Sequence, residues 1–338
     1  MGEGGGPLEG LGDGGFAVKR SLVTGGHGFV ASHLAGALLE RGDAVTVLDL
    51  AAPPLSGLTL QGIEAEVERV EADLRDARAV GATLEAGEFD TVFHLAAQTL
   101  VGPAMGDPAT TFEVNVGGTW TLLEACRKAE VPAVVVASSD KAYGPRRELP
   151  YREEMQLRPA SPYEASKAAA DVIALSYRPA FGLPVAVTRF ANVYGGGDLN
   201  FSRLIPEAAL AVLEGRRPAI RSDGSPHRDF LYVDDAVAAY LAVEDAVGAG
   251  GPAAGEAFNA GGERPHSVAE VLETIAEVSG REVEPEYRGT GNPAGEIDRQ
   301  YVDSSKLRGL TGWRPQVGLR DGLGRTLDWY GNHPEARP

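Results

Sequence analysis

Residues 20–50, RSLVTGGHGFVASHLAGALLERGDAVTVLDL, carry the pattern that decides the fold of this chain. A short apolar stretch runs into a glycine-rich turn, after which residues 29–41 place apolar side chains at helical spacing. Gly42 ends that pattern, as glycine commonly does just beyond a helix, and a second, β-branched stretch follows. The order strand, turn, helix, strand predicts a βαβ unit with two parallel strands.

The same alternation continues along the chain and predicts further strands and helices. The apolar stretches DTVFHLAAQ, AVVVASS and PVAVTRF are typical of buried strands, with helices from about Thr111 to Lys128 and from Pro162 between them. Near-continuous apolar strands separated by helices indicate a parallel sheet with both faces covered. We therefore predict an α/β fold, a Rossmann-like doubly wound parallel sheet with a smaller C-terminal α/β substrate-binding lobe.

Composition narrows the functional classes. The 338 residues carry a net charge of −17, which argues against a general nucleic-acid binder. No apolar run approaches the roughly 18 residues that a membrane-spanning helix needs. Cys126 is the only cysteine, so no intrachain disulfide can form and a reducing cytoplasm is the expected compartment. The six histidines lack metal-ligand spacing, so no metal is predicted.

The turn TGGHGFVA, between the first strand and the first helix, has the character of a phosphate-binding turn. Gly25 and Gly28 would let the backbone turn tightly against a pyrophosphate, whose charge the helix N-terminus at Phe29 and Val30 would meet. Asp49, at the end of the second strand, is placed to accept hydrogen bonds from an adenosine ribose and to repel a 2′-phosphate. The prediction is therefore a dinucleotide cofactor, NAD rather than NADP.

These elements give expected domain boundaries. Residues 17–191 would form the NAD-binding Rossmann domain, and residues 192–338 mainly the substrate-binding lobe, with some strands and helices exchanged between them. Residues 1–16 are glycine-rich and acidic and lack the apolar region of a signal peptide, so we expect a flexible tail there.

The stretch SPYEASKAAAD contains a predicted helix start with two reactive residues. Ser161 suits the N-cap, Pro162 the first helical position, and Glu164 would complete a capping box. Tyr163 and Lys167 are four residues apart and so share a helix face, where the ammonium would lower the pKa of the tyrosine and make it a base. The spacing alone is weak evidence, but after a dinucleotide turn it favours a catalytic pair.

Several motifs together resemble the extended short-chain dehydrogenases/reductases that act on nucleotide sugars. The similarity runs from about residue 19 to residue 332, and its motifs are TGGHGFVASHL, ADLRD, VFHLAAQ, NVGGTWTLLEAC, SSDKAYG, YEASK, RFANVYGGGD, RDFLYVDDA and GWRP. Within that family, SSDKAYG, YGGGDLNFSRLIP and IRSDGSPHRDFLYV look most like the CDP-glucose 4,6-dehydratases. The resemblance implies an NAD-dependent enzyme whose substrate is a nucleotide-diphosphate sugar.

The resemblance also implies roles for individual residues. Ser139 would hydrogen-bond the sugar O4, Tyr163 would take the O4 proton, and Lys167 would hold the nicotinamide ribose. The remaining implied contacts are Asp73 and Leu74 at the adenine; Leu95, Ala96 and Ala97 at the nicotinamide side of the cofactor; and Gln98, Asn192, Asn200, Arg203 and Arg228 at the substrate. Arginine forks suit phosphate oxygens.

Asp140 and Lys141 would carry the step that defines a dehydratase. Oxidation at C4 acidifies the C5 proton, so water can leave from C6 if an acid and a base are at hand. Asp140 suits the acid. Lys141 stands where many dTDP-glucose and GDP-mannose dehydratases have a glutamate base, and the CDP-glucose branch also has a lysine at this position. Two roles remain open for Lys141: a neutral amine that removes the C5 proton, or a cation that only steadies the enolate.

The predicted function is thus a nucleotide-sugar 4,6-dehydratase, a lyase. A 4-epimerase would use the same Ser139, Tyr163 and Lys167 but would need neither Asp140 nor Lys141. A uronic-acid decarboxylase is a further alternative, and a catalytically silent NAD-binding regulator would be expected to have lost the tyrosine or the lysine. In the family, the helices corresponding to those near Thr111 and Pro162 usually form a homodimer interface. His94, after an apolar strand, is expected to be a hydrogen-bonded core residue.

Overall fold

The computed structural model describes residues 18–282, 284–290 and 298–338, and the predicted tail at 1–16 lies outside them. Its strands are β1 (Arg20–Thr24), β2 (Ala44–Asp49), β3 (Glu68–Glu71), β4 (Thr91–His94), β5 (Ala133–Ala137), β6 (Val185–Phe190), β7 (Asn192–Tyr194), β8 (Ala219–Ile220), β9 (His227–Tyr232), β10 (Ala257–Ala260), β11 (Pro265–Ser267), β12 (Glu286–Tyr287) and β13 (Arg299–Gln300). Its α-helices are α1 (Phe29–Arg41), α2 (Gly57–Gln61), α3 (Ala77–Gly87), α4 (Val101–Gly106), α5 (Pro108–Phe112), α6 (Gly118–Lys128), α7 (Pro162–Phe181), α8 (Leu204–Glu214), α9 (Val233–Val247), α10 (Val268–Ser279), α11 (Ser305–Thr311) and α12 (Leu319–Asn332).

Within the described residues the main sheet has seven strands, all parallel, in the order β10-β6-β5-β4-β1-β2-β3. The chain runs outwards from β1 through β2 to β3, then crosses back to β4 on the other side of β1. That reversal creates a crevice at the carboxyl ends of β1 and β4, where open α/β sheets bind their ligands. The predicted Rossmann-like doubly wound fold is confirmed.

Two strands of this sheet differ from the apolar pattern that predicts the others. β3 has the sequence ERVE and lies at the sheet edge, where polar side chains can stay in water. β10 comes from the C-terminal range of the chain, yet it pairs with β6 in the main sheet. α9 also packs against β5 and β6, so residues after 192 complete the sheet that the first part of the chain begins.

Apolar side chains cover both faces of the sheet. One cluster includes Leu34 and Phe93 together with Val237 from α9. The other includes Leu84 and Leu122, from α3 and α6. Burial of each such side chain contributes about 1.5–3 kcal/mol, so the sheet is a rigid base for its carboxyl-end loops. A third cluster joins α8, α10 and α12 in the C-terminal part.

Helix ends largely follow the sequence signals. Gly42 ends α1 in the left-handed conformation, with φ +96°, as predicted. Ser161 caps α7 by accepting a hydrogen bond from the Glu164 backbone N–H at 3.4 Å. The predicted capping box is wrong in one half, because the Glu164 carboxylate accepts from the backbone N–H of Ala160 at 2.6 Å rather than from that of Ser161. The carboxylate has reached one residue further back.

The helix predicted from about Thr111 to Lys128 begins earlier and is not uniform. It starts as α5 at Pro108, passes through a π-helical turn at Glu113–Gly117, and continues as α6. Single π-helical turns inside α-helices occur frequently at functional sites. The buried residue of this turn is Asn115.

Candidate active site

The glycine-rich turn at the end of β1 forms the floor of the crevice. Gly25 has φ +75°, and a Cβ added there would lie 2.7 Å from the Ala96 Cα, so only glycine fits. The Gly28 N–H donates to the Gly25 carbonyl at 2.9 Å, and α1 starts at the next residue. In the described part of the chain no side chain caps the first turn of α1, which leaves its N–H groups for an anion such as a pyrophosphate.

Asp49 lies beside this turn, at the end of β2. Its carboxylate accepts from the backbone N–H of His27 at 2.9 Å and from that of Leu50 at 2.8 Å. A carboxylate offers about four acceptor positions, so two remain for ribose hydroxyls. Phe29 and Val30 are half-buried at the start of α1. These residues fit the binding mode predicted for NAD.

The adenine contacts implied by the resemblance lie after β3. Leu74 is buried, whereas the Asp73 carboxylate pairs with the Arg75 guanidinium at 2.7 Å. Hydrogen bonding to Arg75 holds the pKa of Asp73 below its usual value, so this carboxylate is an anion at neutral pH. Their contact with adenine stays a prediction.

The segment after β4 is held by hydrogen bonds from both sides. The Thr24 hydroxyl accepts from the Ala96 backbone N–H at 3.2 Å and pairs with a ring nitrogen of His94 at 2.8 Å. The other ring nitrogen of His94 pairs with the Thr119 hydroxyl at 2.9 Å, and burial lowers the pKa of this histidine to about 3. His94 is therefore the satisfied core residue that we expected. Leu95, Ala96 and Ala97 are half-buried at the crevice.

Asn115 is a site residue that the sequence interpretation missed. Its amide accepts from the Gln98 backbone N–H at 2.7 Å and donates to the Gln98 carbonyl at 2.9 Å. It also donates to the Ser166 hydroxyl at 2.9 Å, next to Lys167 on α7. A buried asparagine in the motif NVGGT was the available signal. The Gln98 side chain itself donates to the carbonyl of Leu100 at 3.0 Å, so its predicted substrate contact stays a prediction.

Tyr163 and Lys167 share one face of α7, as their spacing predicts. Burial raises the pKa of Tyr163 to about 12, an effect that the positive charge of Arg203 and a hydrogen bond with Ser139 oppose. The Lys167 ammonium donates to the carbonyl of Ala137 at 3.0 Å, at the end of β5, and burial lowers its pKa to about 8. A tyrosine and a lysine are thus enclosed together at the carboxyl end of the sheet.

Ser139, Asp140 and Lys141 follow β5 and open a 3₁₀ turn. The Ser139 hydroxyl accepts from the Lys141 backbone N–H at 3.2 Å and donates to Asp140 Oδ1 at 3.1 Å. Asp140 is only 1% exposed, and its Oδ2 has no hydrogen-bond partner among the described residues. Burial raises the pKa of Asp140, although the nearby charge of Lys141 opposes the rise. A buried carboxyl with a raised pKa can carry a proton to donate.

The Lys141 side chain is 26% exposed and extends towards β7. Its Nζ donates to Asn192 Oδ1 at 3.1 Å and lies 3.9 Å from Asp140 Oδ1. The Asn192 amide nitrogen in turn donates to the backbone carbonyl of Asp229 at 3.1 Å. The structure therefore brings Asn192 into contact with Lys141.

Two arginines lie near these groups. Arg203 pairs with the buried carboxylate of Asp198 at 3.0 Å, and its charge acts on Tyr163. Arg228 donates to the carbonyl of His227 at 3.0 Å, and its charge acts on Asp140. Asn200 lies in the turn before α8, where its side-chain oxygen accepts from the Ser202 backbone N–H at 3.2 Å and its own backbone N–H donates to the Asp198 carboxylate at 3.0 Å.

Asp229 is a second residue that sequence reasoning missed, although it stands in the motif RDFLYV. It is 1% exposed, and its carboxylate accepts from the backbone N–H groups of Gly262 at 2.7 Å and Val302 at 3.3 Å. Burial raises the pKa of Asp229 to about 7, and the negative charge of Asp140 adds to the rise. Two buried acids therefore lie close enough for the charge of one to act on the other.

Among residues 18–282, 284–290 and 298–338, no group of three or more His, Cys, Asp or Glu side chains could hold a metal ion. No helix in these same ranges has the length and hydropathy needed to cross a membrane.

Comparisons with known proteins agree with this geometry. The model of the NAD dependent epimerase/dehydratase family matches residues 21–261. A UDP-glucose 4-epimerase from Mycolicibacterium smegmatis is 37% identical, over 93% of this chain and 99% of its own length. A dTDP-glucose 4,6-dehydratase from Streptomyces griseus is 34% identical, over 92% of this chain and 94% of its own.

A solved structure gives the same result in three dimensions. A dTDP-glucose 4,6-dehydratase from Streptomyces venezuelae, with NAD and TYD bound, has a TM-score of 0.84 and 31% identity, covering 94% of this chain and 98% of that one. The chain therefore belongs to the NAD dependent epimerase/dehydratase family, as an enzyme of the extended short-chain dehydrogenase/reductase type with NAD as its cofactor.

Proposed function

We propose that this enzyme is a nucleotide-sugar 4,6-dehydratase. The observation that carries the proposal is Asp140, a buried carboxyl with a raised pKa and an unpartnered oxygen among the described residues, directly beside Ser139 and Lys141. Removal of water from a sugar needs a proton donor for the departing hydroxyl, and a buried acid whose pKa is raised suits that task. Exchange of configuration at C4 needs no such group.

The first step is oxidation of the sugar at C4. NAD supplies, when bound, reversible hydride acceptance, so that C4 can be oxidised and the hydride used again at C6. Tyr163 takes the O4 proton, and the Ser139 hydroxyl orients that oxygen. The positive charge of Arg203 favours the tyrosinate that must form for this transfer, and we expect Lys167, on the same helix face, to add to this effect. Ser139, Tyr163 and Lys167 are therefore proposed as catalytic residues.

The second step is loss of water across C5 and C6. The C4 ketone acidifies the C5 proton, which passes to the neutral amine of Lys141. Asp140 gives its proton to the C6 hydroxyl, which leaves as water. The 3.9 Å between the Lys141 Nζ and Asp140 Oδ1 supports this assignment, because base and acid then act on adjacent carbons of one sugar.

We further propose a nucleotide-diphosphate hexose as substrate, bound mainly by residues 192–338. Arg203 and Arg228 would hold the diphosphate, since guanidinium forks match phosphate oxygens and both charges act on catalytic groups. Asn200 and Gln98 remain candidate substrate contacts. We propose CDP as the nucleotide because the motif SSDKAYG resembles that of the CDP-glucose 4,6-dehydratases. The relatives named above act, by their names, on UDP- and dTDP-sugars.

A nucleotide-sugar 4-epimerase is the second candidate. One specific observation favours it: the Mycolicibacterium smegmatis relative, named a UDP-glucose 4-epimerase, is 37% identical over nearly the whole chain. An epimerase would use Ser139, Tyr163 and Lys167 and would leave Asp140 and Lys141 outside the chemistry. A decarboxylase acting on UDP-glucuronate would also share the oxidation step.

Product mass distinguishes these candidates. Purified enzyme would be incubated separately with CDP-, dTDP- and UDP-glucose, GDP-mannose and UDP-glucuronate, and the products analysed by mass spectrometry. Loss of one water from a hexose substrate is expected and would name the nucleotide. An unchanged mass with a new C4 stereoisomer would replace the proposal by the epimerase, and loss of carbon dioxide from the glucuronate would replace it by the decarboxylase.

We also propose a homodimer and a cytoplasmic location. Trp120 on α6 and Val172 and Phe181 on α7 are 55%, 61% and 59% exposed, which leaves large apolar side chains in water on the helices expected to pair. Sedimentation equilibrium of the wild type and of Trp120→Glu tests the dimer, which the variant is expected to weaken. The location rests on the single cysteine, Cys126.

A further inference from the structure

We infer that Asn192 is a positioning residue for Lys141, which it orients for removal of the C5 proton; the inference rests on the proposed dehydratase function. The family resemblance implies only that Asn192 contacts the substrate. The structure gives this side chain a partner in the catalytic machinery itself, since its Oδ1 accepts from Lys141 Nζ at 3.1 Å.

The orientation of the Asn192 amide is fixed by a group that can only accept. Its Nδ2 donates to the backbone carbonyl of Asp229 at 3.1 Å, and a carbonyl has no proton to give. Flipping the amide would place two acceptors against each other. Oδ1 must therefore face Lys141, and the amide is a neutral acceptor of defined direction.

The carbonyl that fixes the amide is itself well anchored. Asn192 begins β7, which pairs in parallel with β9 and places Asn192 opposite Phe230. The next residue back on β9 is Asp229, whose carboxylate is tied to the backbone N–H of Gly262 at 2.7 Å. Lys141 is thus connected, through one amide, to the strand that also carries Arg228.

A neutral acceptor suits a lysine that must act as a base. A neutral amine keeps two N–H donors and one lone pair, so donating one N–H to Asn192 Oδ1 restricts where the lone pair can point. A carboxylate in the same place would favour the charged ammonium, which has no lone pair. The asparagine oxygen is also nearer to Lys141 than Asp140 is, at 3.1 Å against 3.9 Å.

The step is balanced in protons and electrons. The C5–H bond breaks, the proton joins the Lys141 lone pair, and the bonding electrons move into the enolate of the C4 ketone. The C6–O bond then breaks as Asp140 protonates the oxygen, and water leaves. The ammonium returns a proton to C5 when the double bond is reduced, so Lys141 ends neutral. The proton that Tyr163 took from O4 balances the one that Asp140 gave to the leaving oxygen, and exchange with solvent restores both groups.

The test compares Asn192→Ala and Asn192→Asp with the wild type on the hexose that the enzyme dehydrates. We expect Asn192→Ala to lower kcat by about tenfold, within the coupling range of residues in one hydrogen-bond network, in addition to any change in KM that its implied substrate contact causes. We expect the isosteric Asn192→Asp to move the rise of kcat with pH to higher pH. Incorporation of solvent deuterium at C5 should slow in parallel.

A double-mutant cycle supplies the decisive readout. In a Lys141→Met background, removal of the Asn192 amide should have no further effect on kcat, because its only catalytic route is through the lysine. Calorimetric titration with the matching nucleoside diphosphate measures separately what Asn192 contributes to binding, so that a loss of affinity is not mistaken for a loss of kcat. If Asn192→Ala does not fold, the test uses the pH profile of Asn192→Asp and the double-mutant cycle of Asn192→Asp with Lys141→Met.

The contrary outcomes are equally specific. A weaker Kd for the nucleoside diphosphate and a higher KM, with kcat and its pH profile unchanged, would make Asn192 a substrate ligand and overturn the inference. An effect of Asn192→Ala that persists in full beside Lys141→Met would also overturn it. Absence of any dehydrated product from the wild type would instead refute the proposed function itself.

Discussion

The cofactor half and the sugar half of the crevice are built in different ways. The cofactor half is formed by backbone, where Gly25 and Gly28 shape one turn and the first N–H groups of α1 face the crevice. The sugar half, proposed to bind the sugar, is formed by side chains from separate segments: residues 139–141 after β5, Asn192 on β7, and Arg228 and Asp229 on β9. A backbone site keeps its ligand while side chains vary, whereas a side-chain site can change its chemistry.

The two halves also differ in whether their groups change protonation state with pH. The glycine turn offers N–H groups that are the same at every pH. The sugar half holds two buried acids, Asp140 and Asp229, and burial raises the pKa of both. It borders Tyr163, whose pKa burial raises to about 12, and Lys167, whose pKa burial lowers to about 8. Burying an ionisable group costs stability, and groups with shifted pKa values therefore cluster at functional sites. Here they cluster at one end of the sheet.

The largest expected effect lies where the halves meet. Tyr163→Phe removes the hydroxyl proposed to take the O4 proton, so kcat should fall by about 10³–10⁴-fold, the upper range for loss of a general base. The ring still fills its buried place, so binding of NAD should be little changed. Initial rates of product formation and a fluorescence titration with NAD measure the two quantities.

Tyr177→Phe, on the same helix but packed against Phe181, is the matched control and should keep wild-type rates. If Tyr163→Phe keeps more than about a tenth of wild-type kcat, the tyrosine is not the group that takes the O4 proton.

Asp140→Asn tests whether the sugar half performs elimination. An amide cannot donate the proton that the C6 hydroxyl needs, so the rate of water loss should fall by about 10²-fold, while the affinity for NAD stays at its wild-type value. Product mass measured against time follows the reaction. Asp107→Asn is the control, because asparagine serves equally well at that helix N-cap. Water loss at the wild-type rate in Asp140→Asn would show that another group protonates the C6 hydroxyl.

Lys167 gives a stability effect with a defined pH window. Its pKa is lowered from 10.5 to about 8 in the folded protein, so between those pH values the unfolded state binds more protons and stability rises with pH. The rise should approach roughly 3 kcal/mol. Urea unfolding at several pH values should show it in the wild type and not in Lys167→Met.

Lys128→Met, which removes an exposed lysine from α6, should keep the wild-type dependence of stability on pH. An equal rise in Lys167→Met and in the wild type would show that Lys167 is not a buried cation in the folded enzyme.

The contrast between the halves explains what the sequence could reveal. The strand, turn, helix and cap of residues 20–50 were predictable because each signal lies next to the residues that it affects. Tyr163 and Lys167 were predictable from their spacing on one helix. β3 was not visible as an apolar pattern, since an edge strand need not be apolar. β10 is a four-residue strand whose place in the sheet depends on a partner far away in the chain.

The missed site residues share that long-range character. Asn115 binds Gln98 and Ser166, which lie 17 and 51 residues away. Asp229 is tied to Gly262 and Val302, 33 and 73 residues away. Their motifs, NVGGT and RDFLYV, mark the two segments but do not show which distant groups these side chains contact, because those contacts exist only once the sheet has formed. The identity of the nucleotide depends on contacts of the same kind.

Gly25→Ala should give the smallest of these effects and tests the backbone site most directly. A left-handed alanine costs about 1–3 kcal/mol of strain, and its Cβ would press on the Ala96 backbone, so the affinity for NAD should fall about tenfold. Gly42→Ala is the matched control, since Gly42 also has a positive φ but nothing lies within 4 Å of an added Cβ. Both variants should unfold at lower temperature, yet only Gly25→Ala should bind NAD more weakly. Equal affinity in both would mean that the turn does not approach the cofactor, and the cofactor half would then depend on side chains as the sugar half does.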